Sequence, residues 1–263
     1  MDLEKIPLLH GKDYTAPSIF QPENLLREAR RQKNLEAGQI PEICVLDPDG
    51  DLVRALRAAN RLERCPHWAC YHTDMFSFTH EGVTFGIVGC AVGSAFAVLV
   101  AEQAFVSGCR LLISLTSAGQ IIARGPAPYF VLIDQALRDE GTSYHYLPPS
   151  PCVAANPALI APAMAALDQA GLSVYRGASW TTDAPFRETE IAVNAARAAG
   201  ILAVEMEAAA LYAFAEARGE AVLCFAHVTN QMAQIEGDFE KGEANGAHDA
   251  LALLTVTARA LTG

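Results

Sequence analysis

From about residue 40 to the end, short apolar runs alternate with alanine-rich stretches of helical period, and this alternation restricts the possible folds more than any other feature. Expected strands are Glu42–Leu46, Cys70–Thr79, Val83–Gly89, Leu111–Ser114, Tyr129–Ile133, Ser173–Ala178, Leu202–Val204 and Ala221–His227. Between them, helices are expected at Ser94–Ser107, Asn156–Ala170 with Pro157 at its first position, Arg187–Ala199, Glu207–Ala217 closed by Gly219, and Ala247–Leu261. Parallel neighbours need long crossovers, which helices supply. The pattern therefore predicts an α/β fold, a three-layer α/β/α sandwich around a mixed, largely parallel twisted sheet. Ligands of such sheets bind beyond the carboxyl ends of the strands, which directs attention to Leu115–Gln120, Leu147–Cys152, Thr181–Phe186 and Val228–Asp238. The first 40 residues are polar and broken by Pro7, Pro17 and Pro22, with one short helix expected around Glu23–Glu36. They are read as an N-terminal arm, 1–40, before a single domain, 41–263.

With 51% hydrophobic residues in a chain of 263, a sizeable core can form. Lys and Arg total 19 against 30 Asp and Glu, a net charge of −11, and no basic tract is present. Sequence-independent binding of nucleic acid or anionic lipid needs clustered positive charge, so neither partner is expected. The apolar run near the middle of the chain, Ala95–Ala101, ends after seven residues at Glu102, far short of the roughly 20 that span a bilayer. Asp2, Glu4 and Lys5 interrupt the apolar pieces of the N-terminus, unlike a secretory signal. Seven cysteines without a CxxC pair, mostly inside apolar runs (Cys44, Cys90, Cys109, Cys224), read as reduced, buried thiols. A cytoplasmic location is expected.

Gly86, Gly89 and Gly93 close a strand and precede a helix. Such a turn can bring bare amides near a ligand, or simply allow tight strand-to-helix packing. The GxxGxxxG spacing is neither a dinucleotide fingerprint nor a P-loop. Cys65, His67, Cys70 and His72 lack finger or ribbon spacing, and Cys70, His72 and Asp74 fall on one face of the expected strand, so no metal is expected there. No GxSxG elbow is present.

The segment Ala203-Val204-Glu205-Met206-Glu207-Ala208-Ala209-Ala210-Leu211-Tyr212 sets two carboxylates around a methionine where a buried strand hands over to a helix. Acidic residues in a first helical turn also complement the macrodipole without any function. The segment resembles the ribose-binding signature of the nucleoside phosphorylase and nucleosidase superfamily, which contains uridine phosphorylase, hexameric purine nucleoside phosphorylase and methylthioadenosine nucleosidase. Further segments agree in order. Gly89-Cys90-Ala91-Val92-Gly93-Ser94 is similar to the first glycine turn and Thr116-Ser117-Ala118-Gly119 to the second loop. Asp139–Tyr146, Thr181–Thr189 and Val228-Thr229-Asn230 resemble other family segments, the last two its base-site loops.

The resemblance implies a phosphorylase/hydrolase-like fold, a nucleoside substrate and a homo-oligomer. It puts Glu207 on the ribose 2′- and 3′-hydroxyls, with Glu205 beside it, Met206 against the sugar, Gly93 in the glycine turn, and Ser117 on ribose or the attacking group. Phe186 would stack on the base, and Arg187 would read a base carbonyl or merely start a helix. Asn230 stands where many members carry an aspartate that protonates the leaving purine; an amide can hydrogen-bond a base but supplies no general-acid proton. A 6-oxopurine or a pyrimidine is then favoured over adenine.

The phosphate arginines of the family are not matched. Ser114 stands at one position, Tyr71 at another, and the first loop reads Leu46-Asp47-Pro48-Asp49-Gly50-Asp51, with Arg54 nearest. Arg54, Arg57, Arg110 and Arg124 are the cations available to rebuild an anion site. The expected activity is cleavage of a nucleoside N-glycosidic bond, nominally phosphorolysis to base and ribose 1-phosphate. Phosphate would be the co-substrate, and no cofactor or metal is needed. Hydrolysis to free ribose and non-catalytic nucleoside binding are the alternatives.

Overall fold

The computed structural model describes residues 5–232 and 236–263. Strand β1 (Ile43–Asp47) is buried along its whole length, and β4 (Val83–Gly89) and β5 (Leu111–Gln120) pair with it in parallel on either side. Strands covered on both faces read as continuous apolar runs, as Cys44-Val45-Leu46 and Leu111-Leu112-Ile113 do. On one side β3 (Phe76–His80) adds antiparallel to β4, and the two-residue β2 (Glu63–Arg64) to β3. On the other, β10 (Val222–Asn230) runs parallel to β5 and antiparallel to β6 (Tyr129–Asp139). Beyond β6 come β7 (Cys152–Ala154), antiparallel to it, and β8 (Val174–Thr182), parallel to it; β9 (Ala203–Glu205) is parallel to β8 and pairs antiparallel with the end of β5.

Helices flank this mixed sheet. In one set α2 (Asp51–Ala58) and α4 (Pro157–Gln169) both pack on α7 (Ala247–Thr262); in another α1 (Pro22–Lys33) and α6 (Ala208–Arg218) both pack on α3 (Ser94–Val106). Helix α5 (Glu190–Ala198) follows β8. The expected α/β architecture is the one observed, with antiparallel pairs more numerous than the strand–helix alternation suggested. No helix of the described residues is long and apolar enough to cross a membrane.

Several boundaries differ from the sequence reading, for identifiable reasons. Residues Leu115–Gln120, expected as a loop, continue β5, because Leu115, Ser117 and Gly119 pair with Phe225, His227 and Asn230 of β10. Strands β6 and β8 likewise extend to Asp139 and Thr182 through polar residues that pair with each other. The strand expected from Cys70 begins only at Phe76, so Cys70, His72 and Asp74 do not share a strand face. Among the described residues, no His, Cys, Asp or Glu group is arranged to hold a metal ion. The helix expected from Arg187 begins at Glu190: Pro185–Arg187 forms a 3-10 turn, and Thr189 caps the helix by accepting the Ala192 N–H at 3.3 Å. Cys90, expected to be buried, is exposed in the turn after β4, whereas Cys44, Cys109 and Cys224 are buried free thiols.

Candidate active site

The carboxyl ends of β1, β4, β5, β9 and β10 and the turn after β8 converge on one cavity of about 210 Å³. Glu207 lies at the β9–α6 junction, almost wholly buried. Its Oε1 accepts the Gly93 N–H at 2.6 Å and its Oε2 the Thr116 hydroxyl at 2.9 Å. Gly93 makes this possible. Its φ of 89° is strained for any residue with a side chain, and it turns the amide toward Glu207 just before α3 begins. Ser94, the first residue of α3, donates to the Met206 carbonyl at 2.7 Å and fixes the neighbouring backbone. Burial, and after it the neighbouring Glu205 carboxylate, push the Glu207 pKa up.

Glu205 behaves differently. Its Oε1 accepts the hydroxyls of Ser179 at 2.9 Å and Thr181 at 2.5 Å, and its Oε2 accepts the backbone N–H groups of Glu207 and Ala208, both at 2.7 Å. A carboxylate has about four acceptor positions, so these donors occupy it. Glu205 therefore caps α6 and holds the Met206-Glu207 turn, instead of offering free oxygens to a ligand as the sequence reading implied. Burial raises its pKa against those donors.

Asp49, which also lines the cavity, follows β1 and accepts the Ser117 N–H on Oδ2 at 2.8 Å. Asp47, just before it, is buried, accepts the Val53 N–H at 2.8 Å and is pushed up to about 6 by burial. The buried amide of Asn230 accepts the Met232 N–H on Oδ1 at 2.8 Å and donates from Nδ2 to the Thr229 hydroxyl at 3.1 Å. One Nδ2 proton remains for a ligand.

The cavity thus unites Ser117, Glu205, Met206, Glu207 and Asn230. Phe186 and Arg187 do not line it. Phe186 is fully exposed and Arg187 is exposed, because the 3-10 turn directs Pro185 and Glu188 inward instead. The sequence reading missed Asp49, Thr116 and Glu188 as cavity residues; the acidic first loop was the available signal for Asp49. The other expected base-site segment, Val228-Thr229-Asn230, ends β10, whereas residues 233–235 of the loop expected at Val228–Asp238 lie outside the described residues. His227 is stacked on Phe130 with centroids 4.5 Å apart, behind the cavity and not in it, and burial lowers it to about 4.

Among the described residues, no lysine or arginine lines the cavity. Arg54 donates to the Asp49 carbonyl at 2.7 Å and to Asp51 at 2.6 Å, Arg57 lies over the Phe76 ring, Arg110 faces Glu42 at 3.6 Å and Arg124 lies over Tyr175. Lys241 pairs with Asp51. Ser114, at one position where the family's arginine was sought, has a buried hydroxyl with no partner among the described residues.

A cavity at the strand ends of an α/β sheet is where ligands of this architecture bind, and here it is lined by a buried carboxylate turn and an amide. The chain belongs to the phosphorylase superfamily, whose family model matches residues 42–261. Its fold is that of nucleoside phosphorylases and nucleosidases. A uridine phosphorylase from Vibrio fischeri ES114 is 22% identical, with a TM-score of 0.68 over 83% of this chain and 91% of that one. A purine nucleoside phosphorylase from Toxoplasma gondii, in complex with immucillin-H, is 15% identical, with a TM-score of 0.69 over 85% and 91%. The 5′-methylthioadenosine/S-adenosyl homocysteine nucleosidase of Helicobacter pylori is 14% identical, with a TM-score of 0.68 over 85% and 100%.

Proposed function

We propose that this protein cleaves the N-glycosidic bond of a nucleoside with water, not phosphate, as the nucleophile. The observation that carries this reading is the make-up of the cavity lining: its ionisable residues are Asp49, Glu188, Glu205 and Glu207, and among the described residues no lysine or arginine lines it. A phosphate dianion in a partly dry site needs paired cations, and a lining whose ionisable groups are all acids offers none. Water carries no such requirement. Phosphorolysis, the family's nominal chemistry, is therefore the less favoured route here.

In this mechanism Glu207 accepts the ribose 2′- and 3′-hydroxyls with its two remaining acceptor positions, and Met206 packs against the sugar. As the C1′–N bond breaks, its electron pair leaves with the base and the sugar takes on oxocarbenium character, which the anionic Glu207 stabilises more than the ground state. Water forms the new C1′–O bond and passes a proton to the Asp49 carboxylate, whose Oδ2 is held by the Ser117 N–H. Asn230 gives a hydrogen bond to the base. Acid–base chemistry by side chains completes the reaction, with no cofactor required.

The test is turnover of inosine, adenosine, uridine and methylthioadenosine with and without phosphate, by wild type and Asp49→Asn. Equal rates of base release in both media, and a fall of about 10²–10⁴-fold in the variant, are expected. Release that requires phosphate would overturn the reading, and saturable nucleoside binding without any release would make the protein a binder.

A further inference from the structure

Water attack and ribose binding leave one chemical need unmet. A base that departs with an electron pair must be protonated or strongly hydrogen-bonded, and Asn230 has an amide where an acid would serve. One side chain of the same cavity is unused. Glu188 follows the Pro185–Arg187 turn after β8, is half-buried, and lines the cavity together with Pro185, Met206, Asn230 and Met232. Its carboxyl has no hydrogen-bond or ion-pair partner among the described residues, whereas Glu205 is filled by four donors and Glu207 and Asp49 are held by backbone amides. Its backbone is fixed between the 3-10 turn and the Thr189 cap of α5, so it stands on a defined support.

We propose that Glu188 is the general acid that protonates the departing base, doing from the β8–α5 connection what Asn230 cannot do from the end of β10. The inference rests on the nucleosidase reading above. The steps balance: the C1′–N electron pair goes to the base, the base nitrogen takes the Glu188 proton, water bonds to C1′ and its proton goes to Asp49. Exchange with solvent then returns a proton to Glu188 and removes one from Asp49. Burial without a counter-ion pushes Glu188 up to about 6, a range in which a carboxyl still carries protons in weakly acidic to neutral medium. The other ionisable groups lining the cavity are Asp49, Glu205 and Glu207, and Arg187, next in the chain, is exposed.

The experiment compares wild type and Glu188→Gln on two ribosides, inosine and 4-nitrophenyl β-D-ribofuranoside. The nitrophenolate leaves as a stable anion and needs no proton, so it reports ribose grip and water attack alone. The expected result is a loss of about 10²–10⁴-fold in kcat/KM on inosine with the nitrophenyl riboside changed less than about threefold. In wild type, the need for a protonated Glu188 should give the inosine kcat/KM profile an alkaline limb, and that limb should vanish in the variant. Preserved nitrophenyl activity also certifies that the variant is folded. An equal loss on both substrates, or an unchanged rate on inosine, would overturn the proposal. Wild type that forms ribose 1-phosphate only with phosphate would sink the hydrolytic reading while leaving the Glu188 comparison on inosine to be read. Wild type inactive on both ribosides in either medium would overturn both.

Discussion

Glu207 already holds two donors, the Gly93 amide and the Thr116 hydroxyl, and has room for about two more. Its pKa is raised in the free protein by burial and by Glu205, and ribose hydroxyls donate more strongly to the ionised form. Nucleoside binding should therefore release a proton and weaken as the pH falls below the raised value; calorimetry in buffers of different ionisation enthalpy measures this directly. Zero proton release would mean that binding does not ionise Glu207. Thr116→Val removes one of the two donors, and nucleoside affinity is expected to drop about tenfold or more, with Thr116→Ser restoring it. The Glu205–Met206–Glu207 turn was legible in the sequence because three successive residues carry it. The division of labour between the two carboxylates was not legible, since it depends on Ser179, Thr181 and Thr116, which reach them from other strands. Phe186 shows the converse: an aromatic residue in a matching motif says nothing of where its ring points, and here it points to solvent.

At the scale of elements, the connection after β6 turns on one buried arginine. Arg138 donates to the Ser143 hydroxyl at 2.8 Å, the Pro148 carbonyl at 2.8 Å, the Ser150 hydroxyl at 2.7 Å and the Leu147 carbonyl at 3.2 Å, with its guanidinium 4.3 Å from the Tyr144 ring centroid. Arg138→Met would strand those acceptors at a cost of roughly 3 kcal/mol, which corresponds to a Tm lower by on the order of 10 °C. Because Arg138 does not line the cavity, kcat/KM of the folded variant at low temperature should match wild type. A large loss of activity at unchanged Tm would show that the segment serves the site. The sequence reading identified Asp139–Tyr146 only as a resembling segment. Strand–helix alternation was readable along the chain because apolar runs signal burial on their own. The ends of β5, β6, β8 and β10 were not, because polar residues such as Thr116, Arg138, Thr181 and Asn230 become strand only by pairing with a neighbouring strand.

For the molecule as a whole, acid should weaken folding through His227. Its folded pKa, lowered to about 4 by burial and by Lys241, lies below the ordinary value of 6.5, so the unfolded chain binds the proton first. The stability it contributes is complete above 6.5 and is lost as the pH falls toward 4. His227→Phe, which keeps a ring against Phe130, should lose less stability than wild type between pH 7 and pH 5 in urea unfolding; an equal loss in both proteins would assign the acid sensitivity elsewhere. The family could be read from the sequence, since the signature turn and the order of loops are local features. The proposed nucleophile could not, because the argument for it needs Asp49 and Glu188 lining one cavity with Glu207 while Arg54, Arg57, Arg110 and Arg124 make other contacts. Phosphorus-31 NMR of the protein turning over nucleosides in phosphate buffer tests that point most directly. Free base should accumulate with no ribose 1-phosphate resonance, and growth of that resonance one-for-one with released base would contradict the account.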